Sequence, residues 1–295
     1  MRKRPLLVVL AVQLVLGATF LVLVASGALL PDGDSGAKKA ARPDRFDGPA
    51  AFKLLKRQVD LGPRPAGSTA SRRLAAELRG LLPNGRYQRV PGGLRNVVGT
   101  VRGRDRGRYI VVGAHYDTKD LKGFVGANDG AGGTAAVVQL ARQLKPRTIG
   151  PTVKFVLFDG EEAPRGRDDQ FERYGLRGSK VAARKYSKAE AMILLDFVAE
   201  KDLSIPREGN SNIALWAKLR RAAKRVGAGR HFPNANFGPV SDDHLPFLRR
   251  GVPSINLIDF DFACWHRTCD DMTAVSEKSL DASGESVAEL LRTLD

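Results

Sequence analysis

Three apolar runs limit what this chain can fold into. RYIVVGAHYD (108–117), TVKFVLFDGEE (152–162) and AEAMILLDFV (189–198) are rich in β-branched and aromatic residues. Each is nearly continuous in its hydrophobicity, the pattern of a strand buried on both faces. Segments with helical spacing alternate with them: AAFKLLKRQVDL, STASRRLAAELRGLL, GAGGTAAVVQLARQLK, GLRGSKVAARKY, NIALWAKLRRAAKRV and an amphipathic tail from Glu277. In the second of these, Ser68 or Thr69 can cap the helix. RYQRV, RNVVGTV and VPSINLIDF read as further strands. Strands alternating with helices predict an α/β sheet, largely parallel in its centre and covered on both faces.

Each of the three runs ends in a titratable group, at the strand end where open α/β sheets build their sites. The first delivers His115 and Asp117, the second Asp159, Glu161 and Glu162, the third Asp196. Asp129 lies between the first two in GANDGAGG, and His266 follows the last strand. Taken singly, most have ordinary explanations. Asp129 would cap a helix, and Glu161 and Glu162 would form an exposed turn. Asp196 is harder to dismiss, because a carboxylate framed by Met192–Leu195 and Phe197–Val198 needs a partner. Two histidines and several carboxylates converging on one sheet edge predict a metal site. Imidazole nitrogen plus carboxylate oxygen without thiolate suits zinc with an open position. Asp117, two residues beyond His115, is placed to accept the other imidazole N–H.

CWHRTCDD (264–271) holds the chain's two cysteines around His266. From the residues alone it is either a small Cys/His zinc site or one ligand of a site assembled from afar. Other candidates read as ordinary structure. His231 sits in a Gly/Asn-rich loop that could border the pocket. His244 opens a short helix. Ser68 and Ser179 lack a nucleophile-elbow context. The GAGG glycines follow an acid without the order of a dinucleotide fingerprint. Phe260 and Phe262 could line a pocket or fill the core.

The ends and the charge bound the setting. Arg2, Lys3 and Arg4 precede an apolar run from Pro5 to about Leu30. That is long enough to cross a bilayer, and the leading charges would leave the rest of the chain outside the cytoplasm. Small residues at Ala25, Ser26 and Ala28 offer the competing reading, a cleaved signal peptide. Its length favours a transmembrane anchor. The expected organisation is an anchor or signal at 1–30, a linker at 31–46 and the main domain at 47–295. That domain would be membrane-anchored outside the cytoplasm, or secreted if the helix is cleaved. The net charge is +16, but the basic residues are scattered. No basic stripe interleaves with aromatics, which argues against nucleic-acid binding. The charge reads as an arginine-rich, solvated surface, with attraction to an anionic envelope surface as the alternative.

HYDTK, GANDGAGG, FDGEEA, GS with a following helix, LLD, and SDDHLPF with a later WH together resemble the zinc aminopeptidase and glutaminyl cyclase family. The resemblance runs from about Phe52 to the end. It implies a three-layer α/β/α sandwich around a mixed, centrally parallel sheet, the zinc-exopeptidase architecture. It puts His115, Asp129, Glu162, Asp196 and His266 at metal-ligand positions, with Asp129 bridging where two zinc ions bind. Glu161 matches the general acid/base, and Trp265 would wall the substrate pocket. Asp243 would join Glu161 and Asp196 in a hydrogen-bonded acid cluster. The substrate class implied is peptide or protein N-termini, with one or two Zn2+ as cofactor.

Two branches of the family compete. DDHLPFLRRGVP, HYDTK, FVGAND and Trp265 are like the cyclases, which close N-terminal glutamine to pyroglutamate and release ammonia. GANDGAGG is closer to the peptidases, and the cyclase tryptophan after the EE pair is missing from EEAPRGRDDQ. The cyclase is favoured, with an aminopeptidase as alternative. A non-catalytic exported binding domain is disfavoured, because all five ligand positions and the base are kept. His266 is then the last zinc ligand. Cys264 and Cys269, exported to an oxidising compartment, are expected to close a small disulfide around it.

Overall fold

A computed structural model describes residues 46–294. The expected membrane helix or signal at 1–30 and all but the last residue of the linker lie outside the described residues. No described helix is long and apolar enough to cross a membrane. The first helix, α1 (Gly48–Val59), is capped by Asp47, whose Oδ1 accepts the Ala50 N–H at 3.0 Å. Helix α2 (Thr69–Leu81) takes Ser68 as its cap, with Oγ accepting the Ser71 N–H at 3.0 Å. A hairpin of β1 (Arg86–Val90) and β2 (Leu94–Val101) follows. It turns through Gly92 and Gly93 at φ of 80° and 77°, a conformation costly for any residue with a Cβ.

The remaining elements alternate as the sequence predicts. They are β3 (Asp105–His115), α3 (Gly133–Gln143), β4 (Pro151–Phe158), a short α4 (Phe171–Tyr174), α5 (Arg177–Lys185) and β5 (Met192–Leu195). Then come α6 (Ile213–Arg225), a one-turn α7 (Leu245–Leu248), β6 (Ser254–Leu257) and α8 (Glu277–Arg292). The described strands form one six-stranded sheet in the order β1-β2-β4-β3-β5-β6. β2 runs antiparallel to both of its neighbours, β1 and β4, while β4, β3, β5 and β6 are parallel. The fold is therefore mixed α/β with a parallel centre.

The continuous apolar runs exist because both faces are covered. In β5, Ile193 and Leu195 join a core with Leu55, Leu74, Val137, Leu219 and Leu290, drawn from α1, α2, α3, α6 and α8. Met192 and Leu194 point the other way, against Ala182 and Ala183 of α5 and Phe247 of α7. Burying each such side chain contributes about 1.5–3 kcal/mol. The close-packed end of the sheet is what positions the site. A Cβ on Gly133 would lie 2.1 Å from the Leu195 carbonyl oxygen, so the start of α3 sits directly on the end of β5. GAGG does not all enter the helix. Ala127–Gly132 is a wide, irregular turn with Asp129 at φ −82°, ψ 93° and Gly130 at φ 96°.

Candidate metal centre and active site

His115 ends β3, and its Nε2 faces two carboxylates at once: Asp129 Oδ1 at 3.2 Å and Asp196 Oδ1 at 3.2 Å. Asp196 follows β5, the parallel neighbour of β3. Asp129 is carried there by the irregular turn. Gly130 permits this, since a Cβ there would stand 2.8 Å from the Asp117 carbonyl and 3.1 Å from His115 Cε1. A second group forms beside the first. His266 Nε2 lies 3.4 Å from Glu162 Oε1 and 3.6 Å from Asp129 Oδ2. Asp129 thus offers one oxygen to each group, and both groups are compact enough to hold a metal ion.

The electrostatics fit a cation. Burial would lower the pKa of His115, but Asp117, Asp129 and Asp196 outweigh it and raise it well above the ordinary histidine value. Burial likewise opposes a proton on His266, and Glu162 and Asp129 overcome it. The pKa of Asp129 is raised, by burial first and then by the charge of Glu162. Its Oδ2 is buried without a hydrogen-bond partner. Buried carboxylates facing two imidazoles, and an orphaned carboxylate oxygen, are what a divalent ion would bridge and satisfy.

Asp117 does something other than the sequence suggests. The His115 Nδ1 approaches the Asp117 carbonyl oxygen at 3.1 Å, and the carboxylate only at 3.7 Å. The carboxylate instead accepts the N–H groups of Glu161 (3.2 Å) and Glu162 (3.3 Å). It therefore sets the turn that presents both glutamates. Glu161 is buried, and burial pushes its pKa well above the carboxylate range. The charge of His115 opposes this, while Glu162, Asp242 and Asp243 add to it.

The expected acid cluster needs a correction. Asp243 is fully buried and does not line the cavity at the site; the preceding residue, Asp242, does. The Asp242 backbone carbonyl accepts the Leu245 N–H in the turn before α7, and its Oδ2 accepts Asn256 Nδ2 at 2.7 Å from β6. That bond ties Asp242 to the sheet edge. Adjacent side chains in such a turn diverge, so only one of the pair can face the cavity. Asp196 feels the same neighbour: burial, then the charge of Asp242, push its pKa well up against the lowering by His115.

The cavity measures about 390 Å³ and is bordered by Glu161, Glu162, Asp196, Asp242 and His266. Its apolar side is Trp265, Phe260 and Phe237, with Trp265 packed on Phe260 at 4.9 Å between ring centroids. Phe262 packs instead against Phe197 in a small apolar cluster. Phe171 also lines the cavity, in the region where the cyclase tryptophan is missing. A larger cavity of about 750 Å³ lies between the C-terminal ends of α3 and α8, but no carboxylate or imidazole lines it.

His266 itself has φ 52°, a left-handed conformation that a non-glycine residue adopts at some cost. Cys264 and Cys269 are disulfide-bonded around it, with Cα atoms 5.4 Å apart. CWHRTCDD is therefore no Cys/His zinc knuckle.

Three groups beside the site escaped sequence reading. Asp270 accepts the N–H groups of Asn128 (2.7 Å) and Asp129 (3.0 Å), and so holds the Asp129 turn. Burial and the charge of Asp129 push its pKa up to about 7. Arg64, wholly buried, donates to the carbonyls of Val125 (2.7 Å) and Gly126 (3.3 Å) under the same turn. Lys119 donates to Glu162 Oε2 at 3.1 Å and to Asp168. Only the position of Asp270, just after the His266 loop, hinted at a role. His231 lies away from the cavity lining, its Nδ1 against the Leu203 carbonyl at 2.9 Å. Ser179 caps nothing and donates to the Leu176 carbonyl.

Comparison with known proteins places these features in a group. A family model described as peptidase family M28 matches residues 96–291. The chain is 30% identical over 226 residues to a bovine glutaminyl-peptide cyclotransferase, covering 63% of this chain and 61% of that one. A Drosophila melanogaster glutaminyl-peptide cyclotransferase is 28% identical over 211 residues, covering 59% and 58%. The chain thus spans about three fifths of the length of these curated relatives. Among solved structures, a Porphyromonas gingivalis glutaminyl cyclase superposes with a TM-score of 0.74 at 29% identity, covering 85% of this chain and 100% of that one. A leucine aminopeptidase precursor from Bacteroides thetaiotaomicron gives 0.75 at 26%, covering 85% and 98%.

Proposed function

The chain belongs to peptidase family M28, and from that premise we propose that it is a zinc-dependent glutaminyl-peptide cyclotransferase. It would convert the N-terminal glutamine of peptides to pyroglutamate and release ammonia. The observation that carries this reading is the buried carboxylate of Glu161 at a cavity that Glu162, His266, Trp265 and Phe260 also line. The cyclotransferase names of the curated relatives support it.

Of the two ligand groups, Asp129, Glu162 and His266 all border the cavity, whereas His115 does not. We therefore put the reacting zinc on the group of Asp129, Glu162 and His266. Bound there, zinc would supply a Lewis acid for the γ-amide oxygen. The residues of the chain handle the protons. As the α-amine forms its bond to the γ-amide carbon, Glu161 takes the proton from that nitrogen. It returns the proton to the amide nitrogen as the C–N bond breaks and ammonia leaves. Burial and the charges of Asp242 and Asp243 raise the proton affinity Glu161 needs for this exchange. Trp265 and the cavity hold the folded glutamine conformer, which supplies much of an intramolecular rate.

A second reading has its own support. His115, Asp129 and Asp196 form a complete additional ligand group, and a two-ion site would suit an aminopeptidase, as does the likeness to the leucine aminopeptidase precursor. Incubating the zinc-loaded protein with a Gln-initiated and a Leu-initiated peptide separates the two. Pyroglutamyl product with ammonia supports the cyclase, and free amino acid supports the peptidase. Neither product would overturn both.

The Arg2–Arg4 charges and the following apolar run support a membrane-anchored or secreted protein with its catalytic domain outside the cytoplasm. The Cys264–Cys269 disulfide supports that compartment. Mass spectrometry of the mature N-terminus would tell anchor from cleaved signal.

A further inference from the structure

Glu208 lies outside the metal ligands and the acid cluster, yet it is wholly buried and has more hydrogen-bond donors around it than a carboxylate needs for solubility. Its Oε1 accepts the N–H of Asn210 at 2.8 Å and that of Val240 at 2.9 Å. Its Oε2 accepts the Ser211 hydroxyl at 2.9 Å and lies 3.1 Å from His244 Nε2. Burial would raise its pKa, but His244 and the two N–H groups hold it at about 2. A buried charge is costly unless so satisfied.

The donors come from two separate stretches. Residues 207–211 follow β5, and residues 235–244 lead into α7. The two run side by side. Arg207 N–H donates to Ala235, Phe237 N–H to Arg207, and Gly209 N–H to Gly238, at 3.0, 2.9 and 3.2 Å. Gly209 lets them touch, because a Cβ there would lie 2.7 Å from Pro239 N. The second stretch supplies Phe237, Pro239, Val240, Ser241 and Asp242 to the cavity. Val240 also packs on the apolar cluster of Phe197, Ile258 and Phe262, together with Phe260. The first stretch is pinned to the sheet, since Ser211 Oγ accepts the Asn256 N–H at 3.0 Å and Asn212 N–H donates to Ser254. Asn256 in turn holds Asp242.

We infer that Glu208 is a positioning residue for substrate binding: through the Val240 N–H and His244 it fixes the Val240–Asp242 wall of the cavity that Trp265 and His266 also line. This rests on the proposed reading of the cavity as the peptide site. Glu208 touches no reacting atom. Its loss should loosen the grip on the peptide more than it slows the chemistry.

The test is Glu208→Gln in the full-length, zinc-loaded protein. KM for a Gln-initiated peptide should rise about tenfold, the scale set by one hydrogen bond to a charged group. In the same variant kcat should stay within about threefold and zinc content should be unchanged. Hydrogen exchange at the Val240 amide should accelerate, and Trp265 emission should shift in the metal-free protein. A folded variant with wild-type KM, or with wild-type exchange at Val240, overturns the inference. If Glu208→Gln does not fold, Glu208→Asp, which keeps the charge but shortens its reach to the Val240 N–H, tests the same wall, and the same outcomes decide. If the wild-type protein turns over neither peptide, the functional reading fails. The wall inference is then decided by exchange and emission alone, and unchanged values of both overturn it.

Discussion

The two ligand groups share Asp129 but are built differently. The inner group, His115 with Asp129 and Asp196, is built at the ends of adjacent parallel strands and is buried, with Asp129 and Asp196 reaching the cavity. The outer group depends on His266, a left-handed residue in a disulfide-closed loop, with 29% of its side chain exposed. Sheet geometry fixes the inner group, while local devices hold the outer one: the disulfide, Asp270 and the Asp117-bound turn. The contrast teaches where each property comes from. The sheet fixes the inner half, and the outer half carries the more exposed ligand.

The sharpest way to break the comparison is to delete one histidine from each half. His266→Ala should strip the cavity-facing ion and reduce turnover by about 10,000-fold, several kcal/mol of lost charge stabilisation. His115→Ala should keep that ion and lose less than about 100-fold. Metal analysis with steady-state kinetics checks both, and equal losses would erase the distinction between the halves. Next in size, Glu161→Gln should lower kcat by about a thousandfold with zinc content unchanged; retained turnover would remove Glu161 from the mechanism.

Asp270→Asn tests the support beneath the shared ligand. It should weaken zinc binding by about 10- to 100-fold, read by competition with a chelator. A smaller effect is expected from Cys264→Ser combined with Cys269→Ser. Closing so short a loop is worth about 2 kcal/mol in stability, and the loss should fall on zinc retention by the outer group. Differential scanning calorimetry and metal content measure it. A further effect, read at acid pH, concerns Glu208. Its folded pKa of about 2 lies below its ordinary value of 4.5. The stability it contributes is therefore complete above pH 4.5 and is lost as pH falls through 2. Glu208→Gln should flatten that part of the acid-unfolding curve, and an unchanged curve would refute the linkage.

Much of the inner half could be read from sequence, because strands buried on both faces leave continuous apolar runs whose ends are visible as the first polar residue. His115 and Asp196 are found that way, and the Glu161–Glu162 pair of the site lies just past Asp159 at the end of a third such run. Asp129 is found less directly, since its turn is irregular and a cap was the simpler explanation. The outer wall was less legible for a physical reason. Whether Asp242 or Asp243 faces the cavity depends on side-chain direction in a turn, which no periodicity records. Asp270, Arg64 and Glu208 act by accepting from or donating to backbone groups more than fifty residues away or in a neighbouring stretch, and a backbone partner leaves no trace in the sequence. Asp117 was placed near the right atoms, but its carboxylate serves the neighbouring strand's turn.

Gly133 and Gly130 carry a practical message for anyone who would redesign this protein. The room each would need for a side chain is already taken, by the Leu195 carbonyl and by the Asp117 carbonyl and His115 ring. A library that varies Trp265, Phe237 or Phe171 explores new cavity shapes around an intact hinge. A library that varies the two glycines asks only whether the chain still folds.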